Sequence, residues 1–400
     1  MIYDFETVIN RKNAGSIKWN LMQQMNPDVS ADIVPFSVAD MELRNPPEII
    51  EGLKKFLDET VLGYTETYDA YYQSVLNWME KKHGFRPRKE WCVETAGVVP
   101  ALDLMVPLYT DPGDGVMIMT PVYYPFKMVI EKNGRRVVST ELIPNDDKYE
   151  IDFEDFENKI KQPDVKLLIL CSPHNPVGRV WTEEELMKIA DICLENDVFI
   201  LDDEIHFDLI MPEYQHISMG RFEKKYIDNC AICTAPSKTF NLAGMQVSNI
   251  FISDFTKREM LRQKLGFSLL NIMGMKACEI AYTKCEEWLA QLLILIRDNK
   301  DYVENFMKIN IPEVKVYELQ GTYLQWMDFR FLGMETKELE KFMKLEAEIF
   351  FDEGYLFGEG GRGFERINLA CPKNVLEEAM ERLLSAVNNV KKRGNAYVGN

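Results

Sequence analysis

Five short apolar runs, mostly separated by helix-forming stretches, restrict what this chain can fold into more than any other feature. Val116 to Thr120, Val165 to Cys171, Val198 to Leu201, Ala231 to Thr234 and Asn249 to Ser253 read as strands buried on both faces. Between the second and third, Thr182-Glu183-Glu184-Glu185-Leu186 is a capping box that opens an amphipathic helix running to about Asn196. Alternation of this kind predicts βαβ units and a mainly parallel sheet, hence an α/β domain, which we place over residues 50–288.

Beyond it the texture changes. A long helix is expected from Trp288 to about Met307, then strands at Val314 to Leu319 and Tyr323 to Phe329. A charged helix follows from Lys337 to about Phe351, then a strand from Arg366 to Ala370 and a last helix from Val375 to about Lys392. This order does not alternate, so residues 289–400 read as a smaller α+β domain. The first 49 residues are too short and irregular for a domain and are expected to pack against the small domain and the site.

Bulk composition excludes several classes. With 400 residues and a formal charge of −18, the chain lacks the clustered basic surface that nucleic acid or an anionic membrane requires. Met1-Ile2-Tyr3-Asp4-Phe5-Glu6 has neither the basic nor the apolar region of a signal peptide, and Leu289 to Ile296 is too short to span a bilayer. The 8 cysteines then read as reduced thiols of a cytoplasmic protein. Cys230 and Cys233 match C-x-x-C, but on a strand they face opposite sides and no second pair follows, so no metal site is expected.

Three of the strands deliver polar groups at their ends. Asn175 lies in Ser172-Pro173-His174-Asn175-Pro176-Val177-Gly178, and Asp203 in Leu201-Asp202-Asp203-Glu204-Ile205-His206. Lys238 lies in Ala235-Pro236-Ser237-Lys238-Thr239-Phe240. Ligands of open α/β sheets bind at this carboxyl edge. A lysine, an acid and a hydrogen-bond donor together fit pyridoxal phosphate: the lysine forms the Schiff base, and the acid keeps the pyridinium nitrogen protonated. Taken alone, Lys238 could equally be a surface lysine; its small and hydroxyl-bearing neighbours leave room for a cofactor. Asp203 has an acid on each side, and a solvated strand end is the competing reading. His206 would lie near the cofactor's phenolic oxygen, or else be a satisfied core histidine.

Thr120-Pro121-Val122-Tyr123-Tyr124-Pro125 closes another strand, as a packed turn or with a tyrosine flat on the pyridine ring. Thr95-Ala96-Gly97-Val98-Val99-Pro100 precedes a helical pattern whose first amides could hold phosphate. Gly358-Glu359-Gly360-Gly361-Arg362-Gly363 has no Lys-Ser/Thr and no leading βα unit, so it is no P-loop but a flexible loop flanking the site. Arg366, among apolar residues on a strand, calls for a carboxylate, which an amino-acid substrate supplies; pairing with Glu365 or Asp40 is the structural alternative.

Read together, these segments resemble the fold-type I pyridoxal-phosphate enzymes of the class I/II aminotransferase superfamily. They are most similar to its MalY/PatB branch of cystathionine β-lyases, or C–S lyases. The resemblance rests on Ser16-Ile17-Lys18-Trp19, Val38-Ala39-Asp40-Met41, Gly63-Tyr64-Thr65, Ser172 to Gly178 and Asp203 to His206. It continues through Ser237 to Gly244, Gly321-Thr322-Tyr323-Leu324 and Arg366 to Pro372. It implies a homodimer in which Lys238 is the Schiff-base lysine and base, Asp203 faces the pyridine nitrogen, Asn175 the ring oxygen, and Tyr123 stacks and takes part in catalysis. It also implies phosphate on the amides of Gly97, Val98 and Val99, with Tyr64 reaching it from the other subunit. Arg366 would hold the substrate carboxylate, with Ala39, Asp40 and Asn175 beside the substrate. Aspartate-aminotransferase-like enzymes carry an arginine for the phosphate eight residues after the lysine and usually a serine three before it; this chain has Gln246 and Ala235, as in the lyase branch, with Ser237 and Thr234 as the candidates for phosphate contact on this side. The expected activity is cleavage of L-cystathionine or related cysteine S-conjugates. An aminotransferase shares the residue inventory, and a regulatory role through a bound transcription factor is the alternative from another class.

Overall fold

The computed structural model describes residues 3–398. They form two compact units, one of Asn45–Ala290 with Gln320–Thr322, the other of the chain up to Arg44, Gln291–Leu319 and the chain from Tyr323 on. The strands, in chain order, are β1 (Cys92–Thr95), β2 (Gly115–Thr120), β3 (Arg136–Glu141), β4 (Ile143–Asn145), β5 (Lys148–Glu150), β6 (Val165–Cys171) and β7 (Phe199–Asp203). Then come β8 (Cys230–Thr234), β9 (Ser248–Ile252), β10 (Lys315–Val316), β11 (Leu324–Asp328), β12 (Asp352–Glu353) and β13 (Phe364–Asn368).

In the larger unit a seven-stranded sheet runs in the order β1-β9-β8-β7-β6-β2-β3. All five apolar runs are strands of this sheet. Its strands pair in parallel except β9, which is antiparallel to both β1 and β8. The reversal at β9 has a local cause. A parallel return needs a crossover long enough to span the sheet, usually a helix, and between β8 and β9 the chain has only the turns Pro236–Thr239 and Ala243–Met245. The edge strand β3 alternates exposed and buried residues along its length, which hid it among the apolar runs.

One face of the sheet packs Val116, Ile118, Leu167, Ile169, Phe199 and Leu201 against Val98, Leu102, Met105 and Val106 of the helix Val98–Tyr109. The expected capping box is present: Glu185 N donates to Thr182 Oγ1 at 3.2 Å, and Thr182 N to Glu185 Oε2 at 2.8 Å. Each satisfies an amide that the first helical turn leaves open.

The smaller unit builds its core on the sheet β10-β11-β13-β12. Here the chain departs from expectation between Lys337 and Phe351. The helix Thr336–Lys341 gives way to a π-turn at Phe342–Glu346, with Ala347 N bonded to Phe342 O at 2.9 Å, and regular helix ends. Ile349, Phe350 and Phe351 are all buried, and three consecutive residues on a helix cannot share one face, so the segment extends into the core. Nor is the glycine-rich stretch an open loop: it makes short turns at Gly354–Phe357 and Glu359–Gly361, and the Gly354 and Gly361 backbones touch where no Cβ would fit. Among the described residues no helix is long and apolar enough to cross a membrane, and no cluster could hold a metal ion.

Candidate active site

The register of the large sheet aligns Cys171 with Asp203 and Asp203 with Cys233. Asn175, Asp203 and Lys238 therefore leave the same edge, four, zero and five residues past one line of paired residues. Side chains alternate along a strand. Asp203 thus shares the face of Phe199 and Leu201, which carries the helix Val98–Tyr109, while Asp202 and Glu204 point to the other side. The run of three acids is split by the pleat, and all three are buried.

Burial without enough opposite charge shows in their ionisation. Burial pushes the Asp203 carboxyl up to about 7, opposed by an amide hydrogen bond from Ile205 and by the charge of Lys238. Ile205 N lies 3.1 Å from Asp203 Oδ1. Burial and the neighbouring charge of Glu204 push Asp202 well above the carboxylate range. Burial acts the same way on Glu204, but His216, with Nε2 at 3.3 Å from Glu204 Oε2, holds that group low.

The loops beside Asp203 are tied together. Tyr123 N donates to Asn175 O at 3.0 Å, joining the turn after β2 to the turn after β6. Tyr123 is half-buried with its ring edge-on to Phe126 at 5.8 Å. His174 Nε2 lies 3.0 Å from Pro121 O, and burial lowers its pKa to about 4, so it is a neutral strut. His206 is buried just past the end of the strand that carries Asp203.

At the start of the helix Val98–Tyr109, Gly97 has φ 148° and an added Cβ would stand 3.2 Å from Pro100 Cδ. Glycine fits here because L side chains disfavour that backbone and the space is filled. Ala101 N bonds back to Gly97 O at 3.1 Å, and Pro100 has no N–H, so the amides of Val98 and Val99 are the first-turn donors open to an anion. Ser237 and Lys238 are half-buried in the turn after β8. Thr234, the other candidate for the phosphate, donates its hydroxyl to Asn249 O at 3.2 Å within the sheet.

Tyr64 is in this unit but 95% exposed, its ring edge-on to Phe267, itself 87% exposed, at 6.4 Å. Ala39, Asp40 and Arg366 belong to the other unit. There Ala39 O accepts from the Tyr323 hydroxyl at 3.0 Å, and Asp40 is paired with Arg11 at 2.9 Å and with Lys18 at 3.1 Å. Arg366 is buried and paired with Asp352, 14 residues away, rather than with Glu365 or Asp40. Its guanidinium also lies 4.6 Å from the centroid of the Phe357 ring. Asp352 in addition accepts from Val38 N at 2.9 Å, where a β-branched residue stands at φ 58°.

Sequence reading missed the residues that fix the lysine turn. Thr239 Oγ1 donates to Asp208 Oδ2 at 2.8 Å, and Asn45 Nδ2 donates to Phe240 O and Asn241 O, each at 2.9 Å. The one available signal was histidine usage: of only 4 in the chain, His83 and His216 are both buried against the Asp202–Asp208 segment.

These residues fit pyridoxal phosphate. A buried carboxyl with a raised pKa needs a cation, and a protonated pyridine nitrogen is one; Lys238 is beside it, and two helix-start amides lie on the same face.

Residues 31–383 match the family model of class I and II aminotransferases. The chain is 37% identical over 387 residues to the cystathionine β-lyase PatB of Bacillus subtilis, covering 96% of this chain and all of PatB. Among solved structures it superposes on cystalysin from Treponema denticola, which contains pyridoxal 5′-phosphate, with a TM-score of 0.96 and 50% identity. That match covers 98% of this chain and 100% of cystalysin. It also superposes on the pyridoxal-phosphate-bound C–S lyase of Staphylococcus hominis, with a TM-score of 0.89 and 30% identity over 96% of this chain and 98% of that one. The chain therefore belongs to the class I and II aminotransferase family, in the branch that holds PatB.

Proposed function

We propose that this chain is a pyridoxal-phosphate-dependent carbon–sulfur β-lyase that cleaves L-cystathionine or related cysteine S-conjugates to a thiol, pyruvate and ammonia. The observation that carries the reading is a buried Asp203 at the end of β7, with Lys238 in the turn that follows the neighbouring parallel strand β8. The cystathionine β-lyase and C–S lyase names of its relatives support the reaction class.

When bound, the cofactor supplies an electron sink that weakens bonds to the substrate α-carbon. Lys238 would hold it covalently, and its Nζ would be the base that takes the substrate α-proton as the thiolate leaves from Cβ. Asp203 would keep the ring nitrogen protonated, Asn175 and His206 would address the ring oxygen, and Tyr123 would stack on the ring. Gly97, Val98, Val99 and Ser237 would hold the phosphate. Arg366 would grip the substrate α-carboxylate, with Ala39, Asp40 and Asn175 beside it.

The exposed aromatic patch of Tyr64 and Phe267 supports a homodimer in which Tyr64 reaches the partner's phosphate. The 8 buried free cysteines support a reducing, cytoplasmic setting. The test is incubation with L-cystathionine and no keto acid. Pyruvate and free thiol in equal amounts are expected; turnover only when a keto acid is added would make the chain an aminotransferase instead.

A further inference from the structure

The lysine sits on a single helical turn, Pro236–Thr239, closed by Phe240 N to Pro236 O at 3.0 Å. One turn has no cooperative stability of its own, so its conformation is imposed from outside. An outside contact next to Lys238 in the chain is the Thr239 hydroxyl on Asp208 Oδ2 at 2.8 Å. Asp208 is buried, and His83 Nε2 lies 2.8 Å from its Oδ1. Trp78 Nε1 lies 3.1 and 3.2 Å from its two oxygens. Both partners come from the helix Asp69–His83, and Trp78 is itself stacked on Tyr282 at 5.0 Å. The carboxylate is therefore held from a second helix and presents one lone pair to the lysine turn. It also follows Asp203, the last residue of β7, by five residues. The proposed lyase chemistry makes no use of it.

We infer that Asp208 is a positioning residue: through the Thr239 hydroxyl it fixes the turn that carries Lys238 relative to the strand end that carries Asp203. The inference rests on Lys238 being the cofactor lysine. A charge-assisted O–H···O⁻ bond locks the threonine rotamer and with it the backbone next to Lys238. Without that bond the amine samples more positions, and proton transfer, which needs aligned atoms, slows more than substrate binding does.

Asp208→Asn also disturbs Trp78 and His83 and could unfold the chain, so Thr239→Val decides. It keeps the shape and removes one hydroxyl. The purified variant reconstituted with pyridoxal phosphate should lose about 10-fold in kcat with KM nearly unchanged. The midpoint of its pH-dependent absorbance change should move by roughly half a unit or more, because the amine's surroundings set that midpoint. Thr239→Ser should restore both. Wild-type kcat and midpoint in Thr239→Val, whatever its melting temperature, would overturn the inference, as would a serine variant that behaves like valine. Borohydride reduction of the wild-type protein separates the two levels: label on a lysine other than Lys238 defeats the assignment beneath the inference, whereas label on Lys238 with an unaltered Thr239→Val defeats the inference alone.

Discussion

Two clusters of charge in this molecule are built on opposite plans. In the smaller unit Lys18 and Arg11 meet Asp40 and Glu42, two cations against two anions. Lys18 Nζ lies 3.0 Å from Glu42 and 3.1 Å from Asp40, Arg11 lies 2.9 Å from each, and Trp19 Nε1 donates to Glu42 at 3.1 Å. Burial works against ionised Asp40, yet Lys18 and Arg11 hold its pKa below the usual carboxylate value. In the larger unit Asp202, Asp203 and Glu204 are buried in sequence, and two of the three have raised pKa values. The first cluster is complete as it stands. The second is short of positive charge at Asp203, as a site that receives a cation should be.

Four substitutions test that contrast. The largest effect is expected for Lys238→Ala, which removes the cation acting on Asp203: kcat/KM should fall at least about 1,000-fold, with no cofactor fixed by borohydride. Residual turnover near wild type would mean that another lysine does the chemistry. In the balanced cluster, Lys18→Met removes the buried partner of buried Glu42, and breaking such a pair costs about 3–5 kcal/mol. Thermal or urea unfolding measures this, and a loss under about 1 kcal/mol would show that the cluster is not a mutually compensated unit.

Arg366→Ala should cost on the order of 2–4 kcal/mol of transition-state binding, roughly 30- to 1,000-fold in kcat/KM, while the yellow colour remains. If Arg366 only balances Asp352, the variant will lose stability and its folded fraction will turn over substrate at the wild-type rate.

The smallest effect separates the clusters by sign. A carboxyl whose folded pKa is about 7, against an ordinary value of 3.8, contributes most to stability at low pH, and loses that contribution as pH rises toward 7. In the cofactor-free protein, Asp203→Asn should therefore be more stable than wild type at pH 8 by up to a few kcal/mol, with the gap closing toward pH 4. Reconstitution with pyridoxal phosphate should erase the wild-type pH dependence in that window. Parallel melting curves of the two cofactor-free proteins across pH 4–8 would remove the charge deficit from the argument.

Much of the larger unit was legible because its signals are local. An apolar run long enough for a strand, a capping box four residues long, and a glycine before a helix each carry their information within a few positions. The antiparallel turn into β9 was not, because the run itself looks the same in either direction; only the shortness of the linker decided it. The helix expected through Phe351 failed for the opposite reason. Its charged first half has helical texture, but the core claims Ile349, Phe350 and Phe351 together, and tertiary burial outweighs propensity.

The sequence by itself determined that a parallel sheet would carry Asn175, Asp203 and Lys238 to one edge, since strand length and side-chain period leave little else open. It determined too that Asp203 could not share a face with both of its acidic neighbours. Only the tertiary structure decided who answers each charge: Asp352 for Arg366, Lys18 and Arg11 for Asp40, and Asp208 for Thr239 beside the lysine. Those partners lie 14 to 31 residues apart in the chain and are joined by no periodic signal. The reason is physical. Secondary structure follows from neighbours along the chain, whereas a buried charge is satisfied by whichever opposite group the packing brings within about 3 Å.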